Sequence, residues 1–171
     1  MVRIVLAIAI LAALSFTALA GPADDQVARG REAMRAMDVV AAMHAFTMAL
    51  EADPTHADAA YERGRILLKI GEPHKAISDF TIAVISRPAF GRAFARRGEA
   101  KVVLKNVDGA LADFDEAIRV APDDYEVFVI RATFRLQSGN IAGARDDMEA
   151  ALAVADAENA LYLKKMLDRM K

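Results

Sequence analysis

From residue 23 onward, apolar and polar positions follow a helical period, in runs of about one helix length divided by short breaks. Ala57 to Ile70 and Pro73 to Ser86 are two such runs, parted at Gly71-Glu72, and Ser138-Gly139-Asn140 makes the equivalent break further on. Pro73 suits the first turn of its run, where the missing N–H would have no intrahelical partner. The pattern repeats every 34 residues. Pro54, Pro88 and Pro122 each close a run, because the residue before a proline disfavours the α conformation. Arg29-Gly30, Arg63-Gly64 and Arg97-Gly98 keep the same step, as do Ala42, Ala76, Ala110 and Ala144. So do Phe46, Phe80, Phe114 and Met148, and then Ala49, Ala83, Ala117 and Ala151. Two helices approach to about 8–10 Å when the facing residues are small. Gly30, Gly64, Gly98 and Ala132 are therefore expected to meet the alanine columns, with the phenylalanine column filling the space where the helices splay. One helix pair cannot bury its apolar faces alone, so neighbouring pairs must stack into a shared core.

A 34-residue period with these columns resembles the tetratricopeptide repeat family. The resemblance covers four units, 23–56, 57–90, 91–124 and 125–158, and implies an all-α solenoid of stacked antiparallel helix pairs within a domain spanning 21–171. A further helix over 157–171, with Tyr162, Met166 and Met170 on one side and Lys164, Lys165, Asp168 and Lys171 supplying polar groups, is expected to cap the array, giving nine helices. Two family positions depart from the pattern. The aromatic near the start of the first helix is Gln26, Ala60, Phe94 and Phe128 here, so the first two units should pack lightly there. The first-helix tyrosine is replaced by Ala33, Leu67, Lys101 and Arg135.

The first 20 residues are of another kind. Arg3, the unbroken apolar run Ile4 to Leu14 and the Ala18-Leu19-Ala20 ending describe a secretory signal peptide cut after Ala20. Retained, the uncharged stretch from Ile4 to Ala20 would instead be a membrane anchor. Either way the repeats are expected outside the cytoplasm, and the alanine-rich leader points to a bacterial periplasm or cell envelope. Elsewhere the chain has no apolar run of spanning length.

Composition narrows the chemistry. Cysteine is absent, which removes disulfides, thiol nucleophiles and cysteine-based zinc sites. The formal charge of −2 argues against nucleic acid as a partner, since phosphate binding needs a concentrated basic surface. His44, His56 and His74 fall in a second helix, an inter-repeat turn and a helix start, without the i, i+4 spacing of a zinc motif, and read as structural. The stretch Asn106-Val-Asp108-Gly109 echoes a calcium loop, but Leu104 stands where the first oxygen ligand belongs. Asp123-Asp124 and Asp146-Asp147 read as solvated charge at a helix start and on a second helix. No catalytic constellation and no cofactor motif appears, so an enzyme is not expected.

In tetratricopeptide repeats the first helices line a concave groove. By that resemblance the groove receives Val27, Arg31, Met34 and Arg35 from unit one, and Asp58, Tyr61, Arg65, Leu68 and Lys69 from unit two. Unit three gives Arg92, Ala95, Arg96, Glu99 and Val102, and unit four Glu126, Val129, Thr133 and Leu136. The site residues expected to bind are Arg31, Arg35, Tyr61, Arg65, Lys69, Arg92 and Arg96, and an acidic or carboxylate-ending peptide fits them because a guanidinium donates two parallel hydrogen bonds. The competing reading is that these arginines are ordinary solvated residues, some paired with Asp58 or Glu99. Some relatives clamp a chaperone's terminal carboxylate with lysines, arginines and asparagines. Here Val27, Arg31 and Glu62 depart from that set and only Arg92 and Arg96 fit it, so the clamp is incomplete. The resemblance implies an exported scaffold or adaptor for a protein or peptide. The alternatives are a membrane-tethered assembly factor using its convex face, and self-association through the first repeat.

Overall fold

A computed structural model describes residues 21–170. Among them are nine α-helices and no strands: α1 (Pro22–Arg35), α2 (Val39–Ala52), α3 (Ala57–Lys69), α4 (Pro73–Ser86), α5 (Gly91–Val103), α6 (Val107–Val120), α7 (Tyr125–Gln137), α8 (Ile141–Val154) and α9 (Ala157–Asp168). The leader expected over residues 1–20 and the final Lys171 lie outside the described residues. No described helix is long and apolar enough to cross a membrane.

Short polar side chains start most of these helices by accepting the orphan N–H groups of the first turn. Asp38 takes the N–H of Ala41, Asn106 that of Gly109, Asn140 that of Gly143 and Asp156 that of Asn159. The Asn106 segment that echoes a calcium loop is thus a helix cap. His56 caps α3 through Nδ1, which accepts from Ala59, while Nε2 lies 3.0 Å from Asp24 on α1. That arrangement puts the ring proton on Nε2, and His56 is a structural link between units one and two.

The helices form hairpins α1/α2, α3/α4, α5/α6 and α7/α8, stacked so that α1, α3, α5 and α7 touch one another in sequence along one face. The second helices touch only first helices, and α9 packs on α8. Each hairpin turns through one residue in the left-handed region, at Met37, Gly71, Lys105 and Gly139 (φ 60°, 82°, 61° and 79°). Glycine occupies two of these four positions and two carry a side chain.

The core differs in one respect from the expected pairing of small residues. Gly30, Gly64 and Gly98 lie under the rings of Phe46, Phe80 and Phe114, and not chiefly against alanine. A Cβ on Gly30 would stand 2.5 Å from the Phe46 ring, and on Gly64 or Gly98 2.8 Å from its phenylalanine. The phenylalanines fill the centre of each hairpin. In the fourth hairpin the column changes in both members at once, and Ala132 and Met148 are both fully buried. A flexible thioether accommodates the added methyl where a rigid ring could not.

The aromatic column packs as expected only in part: Ala60 is fully buried, and Gln26 is half-buried at the end of the array. The capping helix also departs from expectation. Its buried side is Leu163 with Met166, Leu167 and Met170, while Tyr162 is 62% exposed. Tyr162 precedes Leu163 by one residue, and the roughly 100° step of a helix carries it off the buried stripe.

Candidate functional site

The face along which the first helices meet carries two adjoining depressions. One, of about 410 Å³, has Met34, Ile66, Leu68 and Val103 as apolar lining with Glu62, Arg65, Lys69, Arg96 and Glu99 around them. The other, of about 210 Å³, is lined by Val102, Phe114, Val129, Ile130 and Phe134 with Thr133 and Gln137. Arg96 and Glu99 border both, so the two form one trough running from α1 to α7.

Most of the basic residues expected to bind in this trough are already engaged. Arg31 lies 3.5 Å from Glu62 and 3.8 Å from Asp58. Arg65 reaches the other oxygen of Glu62 at 2.9 Å and lies over the Tyr61 ring. Arg92 donates to Asp124 and is 2.9 Å from Glu126, and the hydrogen bond it makes to Asp124 is foremost in raising its pKa. Arg35 pairs with Glu32 and borders neither depression. Lys69 is exposed at the rim and has no acidic partner among the described residues. Tyr61 is buried against Phe90 and Phe80, ring centroids 4.7 and 6.1 Å away, and burial raises its phenol pKa. It belongs to the core, and with Arg31 and Arg92 it borders a separate depression rather than this trough.

Arg96 stands at the junction. Its Nη1 donates to Glu99 at 2.8 Å, while its Nε is buried without a hydrogen-bond partner. Burial works against its charge, but the bond to Glu99 and the proximity of Tyr61 outweigh it and the pKa rises. The trough is therefore a polar-edged apolar channel with nearly balanced charge, less basic than the arginine column alone implies. Glu62, which holds Arg31 and Arg65 together, is a lining residue that the sequence marks only as a departure from a clamp.

A second polar system lies inside the hairpins. Arg63, Arg97 and Arg131 grip Asp79, Asp113 and Asp147, each 16 residues further along the chain. Each arginine also extends its Nη1 to the preceding unit, reaching Thr47 at 3.4 Å, Thr81 at 3.3 Å and Asp115 at 2.9 Å. Lys101 adds a contact of 2.7 Å to Asp113, and Arg135 one of 2.9 Å to Asp147. These two occupy the family's tyrosine position. Asp147, expected to be solvated, is only 2% exposed. Unit one lacks the system, since Ala45 stands 16 residues after Arg29. Such buried pairs fix how hairpins sit on one another, and the first of them, Arg63 with Asp79, lines a shallow depression with Thr47 and Lys75. Among the described residues no cluster of histidine and carboxylate groups could hold a metal ion.

Sequence matches to the tetratricopeptide repeat cover residues 27–91, 61–126 and 95–160. The chain belongs to the tetratricopeptide repeat family. No curated protein sequence matches it. Among solved structures, the thermophilic tetratricopeptide repeat protein TTC0263 of Thermus thermophilus is similar over 86% of this chain and 80% of its own, at 22% identity and a TM-score of 0.74. MamA from Desulfovibrio magneticus RS-1, residues 41 to the end, is similar over 88% and 85%, at 16% identity and a TM-score of 0.63. Both likenesses are of fold. The second tetratricopeptide repeat domain of Spaghetti (RPAP3), solved with the HSP90 peptide SRMEEVD, is 28% identical over 57% of this chain and 91% of its own, with a TM-score of 0.55. Tetratricopeptide repeat proteins mediate protein–protein interactions.

Proposed function

We propose that this tetratricopeptide repeat chain is an exported, non-enzymatic scaffold or adaptor that holds an extended segment of a partner protein in the trough across α1, α3, α5 and α7. The observation that carries the reading is the continuity of the two depressions through Arg96 and Glu99. An extended peptide needs a channel several residues long with apolar floor and polar rim, and the trough has that form. The peptide bound by the Spaghetti domain supports the same use of the fold. The partner segment offers apolar side chains to the floor and a carboxylate to Lys69, the uncommitted cation at the rim. The remaining arginines, already paired, contribute position more than affinity, since their carboxylates compete with the ligand's. The leader over residues 1–20 supports a place in the cell envelope, as an exported protein or one held by that segment.

The test is a crosslinking pull-down from envelope extract with the wild-type chain and with Arg65→Glu/Arg96→Glu, both checked for helicity by circular dichroism. A partner recovered by the first and lost by the second supports binding in the trough. Recovery by both overturns it and turns attention to the convex face. Intact mass of the protein from its host reports whether Gly21 is the first residue.

A further inference from the structure

Among the described residues, several of the large apolar side chains left exposed lie at the hairpin turns, on the edge of the array opposite the inter-unit turns. At these turns stand Met37 (88%), Val40 (82%), Val103 (58%), Ile70 (57%) and Ile141 (56%), with Val107 in the unit after Ile70's turn. These tips come from all four hairpins, and stacking in register brings them to one edge. Single exposed apolar side chains are ordinary, but a row of them along one edge is the mark of an interaction surface.

The charges at this edge narrow the partner. Among the described residues Lys105 has no acidic partner and Asp108 no basic one, and both are exposed beside Val107. Glu72, next to Ile70, makes only a solvated pair of 3.4 Å with Lys75. Mixed signs at one edge do not favour an anionic lipid surface, which selects bases alone. They favour a surface that carries the same set in the opposite order. A two-fold axis between the second and third turns provides that order: Ile70 and Glu72 of one copy face Val107 and Lys105 of the other, and the exchange is reciprocal. Met37 and Val40 then approach Ile141. At the two ends of the array α1 presents Asp25, Gln26 and Arg29, and α9 covers α8 and leaves only the pair Leu161 and Tyr162 exposed on one helix, against a row drawn from four hairpins at the turn edge.

We propose that the hairpin-turn edge is a homodimer seam, formed by two copies of this chain across that axis. The seam is separate from the trough, so two grooves would face away from one joint and a dimer could hold two partner segments at once.

Sedimentation equilibrium of the full chain, as its host processes it, reads the proposal directly. A concentration-dependent dimer is expected, with the dissociation constant raised at least tenfold by Ile70→Asp/Val107→Asp. Both sites are exposed, so circular dichroism should show the same helicity. Lys105→Glu alone should weaken the dimer, and adding Glu72→Lys should restore it. A wild-type chain that stays monomeric, or a dimer indifferent to these changes, overturns the seam. So does a monomer that sediments with vesicles of anionic lipid and loses that property in the Ile70→Asp/Val107→Asp chain. The trough variant Arg65→Glu/Arg96→Glu should dimerise normally, which keeps the two readings separable.

Discussion

Arg131 holds the carboxylate of Asp147 through Nε and Nη2, at 3.1 and 2.7 Å, while its Nη1 reaches 2.9 Å to Asp115 in the preceding unit. One side chain thus ties the two helices of its own hairpin and the hairpin before it. The same construction recurs at Arg97 and Arg63, with a threonine in place of the outer aspartate.

The number of cations around each buried carboxylate sets the cost of losing one. Among the described residues Asp79 has Arg63 alone, whereas Asp113 keeps Lys101 when Arg97 is removed. Removing one partner of a buried pair costs about 3–5 kcal/mol when the other is left uncompensated. Arg63→Met is therefore expected to destabilise at that scale and Arg97→Met clearly less, as read by urea denaturation. Equal losses would contradict the account. Replacing both members, Arg63→Met with Asp79→Leu, should recover most of the loss.

The glycine beneath each phenylalanine makes a second prediction. Gly64→Ala brings a methyl to 2.8 Å from the Phe80 ring and should cost about 1–3 kcal/mol through overpacking. Adding Phe80→Met reproduces the Ala132 and Met148 combination of the fourth hairpin, and the pair should cost less than the sum of the single changes. Additive thermal shifts would show that the ring and the α-carbon do not limit each other.

The hairpin turns supply a third. Met37 and Lys105 hold left-handed backbone that costs an L-residue about 1–2 kcal/mol, and both side chains are exposed. Glycine relieves that strain and loses about 0.5–1 kcal/mol through unfolded-state entropy. Met37→Gly and Lys105→Gly should each raise stability by about 0.5 kcal/mol, the difference of those two effects. Gly71→Ala and Gly139→Ala, with open space around them, should lower it by about 1 kcal/mol through backbone alone. Melting temperatures moving the other way would refute the reading.

The carboxyls at two helix starts should keep their charge further into acid than an ordinary carboxyl does. The backbone N–H of Asn159 and then its side-chain amide hold the Asp156 carboxyl below the usual range, and His56 does the same for Asp24. A carboxyl with a lowered folded pKa stabilises fully above its unfolded value, about 3.9, and that contribution is lost as pH falls through the lowered one. An NMR titration should place the Asp156 midpoint below the ordinary value, with the chemical shifts of α9 following it. A midpoint at or above the ordinary value would sink the argument.

The helix pairs and their stacking were readable from the sequence because each depends on columns of one residue type at a fixed step. Pro54, Gly64 and Ala83 declare a helix end, a close approach and a buried contact by what they are. Polar residues declare less. Asp146 and Asp147 look alike side by side, yet neighbours on a helix point apart, and the first is exposed while the second is buried. What marks Asp147 is Arg131, 16 residues earlier, and the repetition of both at the 34-residue step. The trough shows the same limit. Its arginines stand where the pattern puts them, but their charge is balanced by Glu62, Glu99 and Asp124, and the contacts to Glu62 and Asp124 reach from one first helix to the next.

Because Ala45 stands 16 residues after Arg29, where the other hairpins carry an aspartate, the first hairpin closes without the ion pair that fastens the other three. A pull applied at Gly21 would meet the Phe46 packing and the exposed link between Asp24 and His56 before any buried charge. The array should yield to force in steps, α1 peeling away at low load and the later hairpins holding to a higher one. Were residues 1–20 the membrane anchor that one form of the proposed function gives them, the molecule would hang from its softest joint, and that joint would stretch while the trough beyond it keeps its shape.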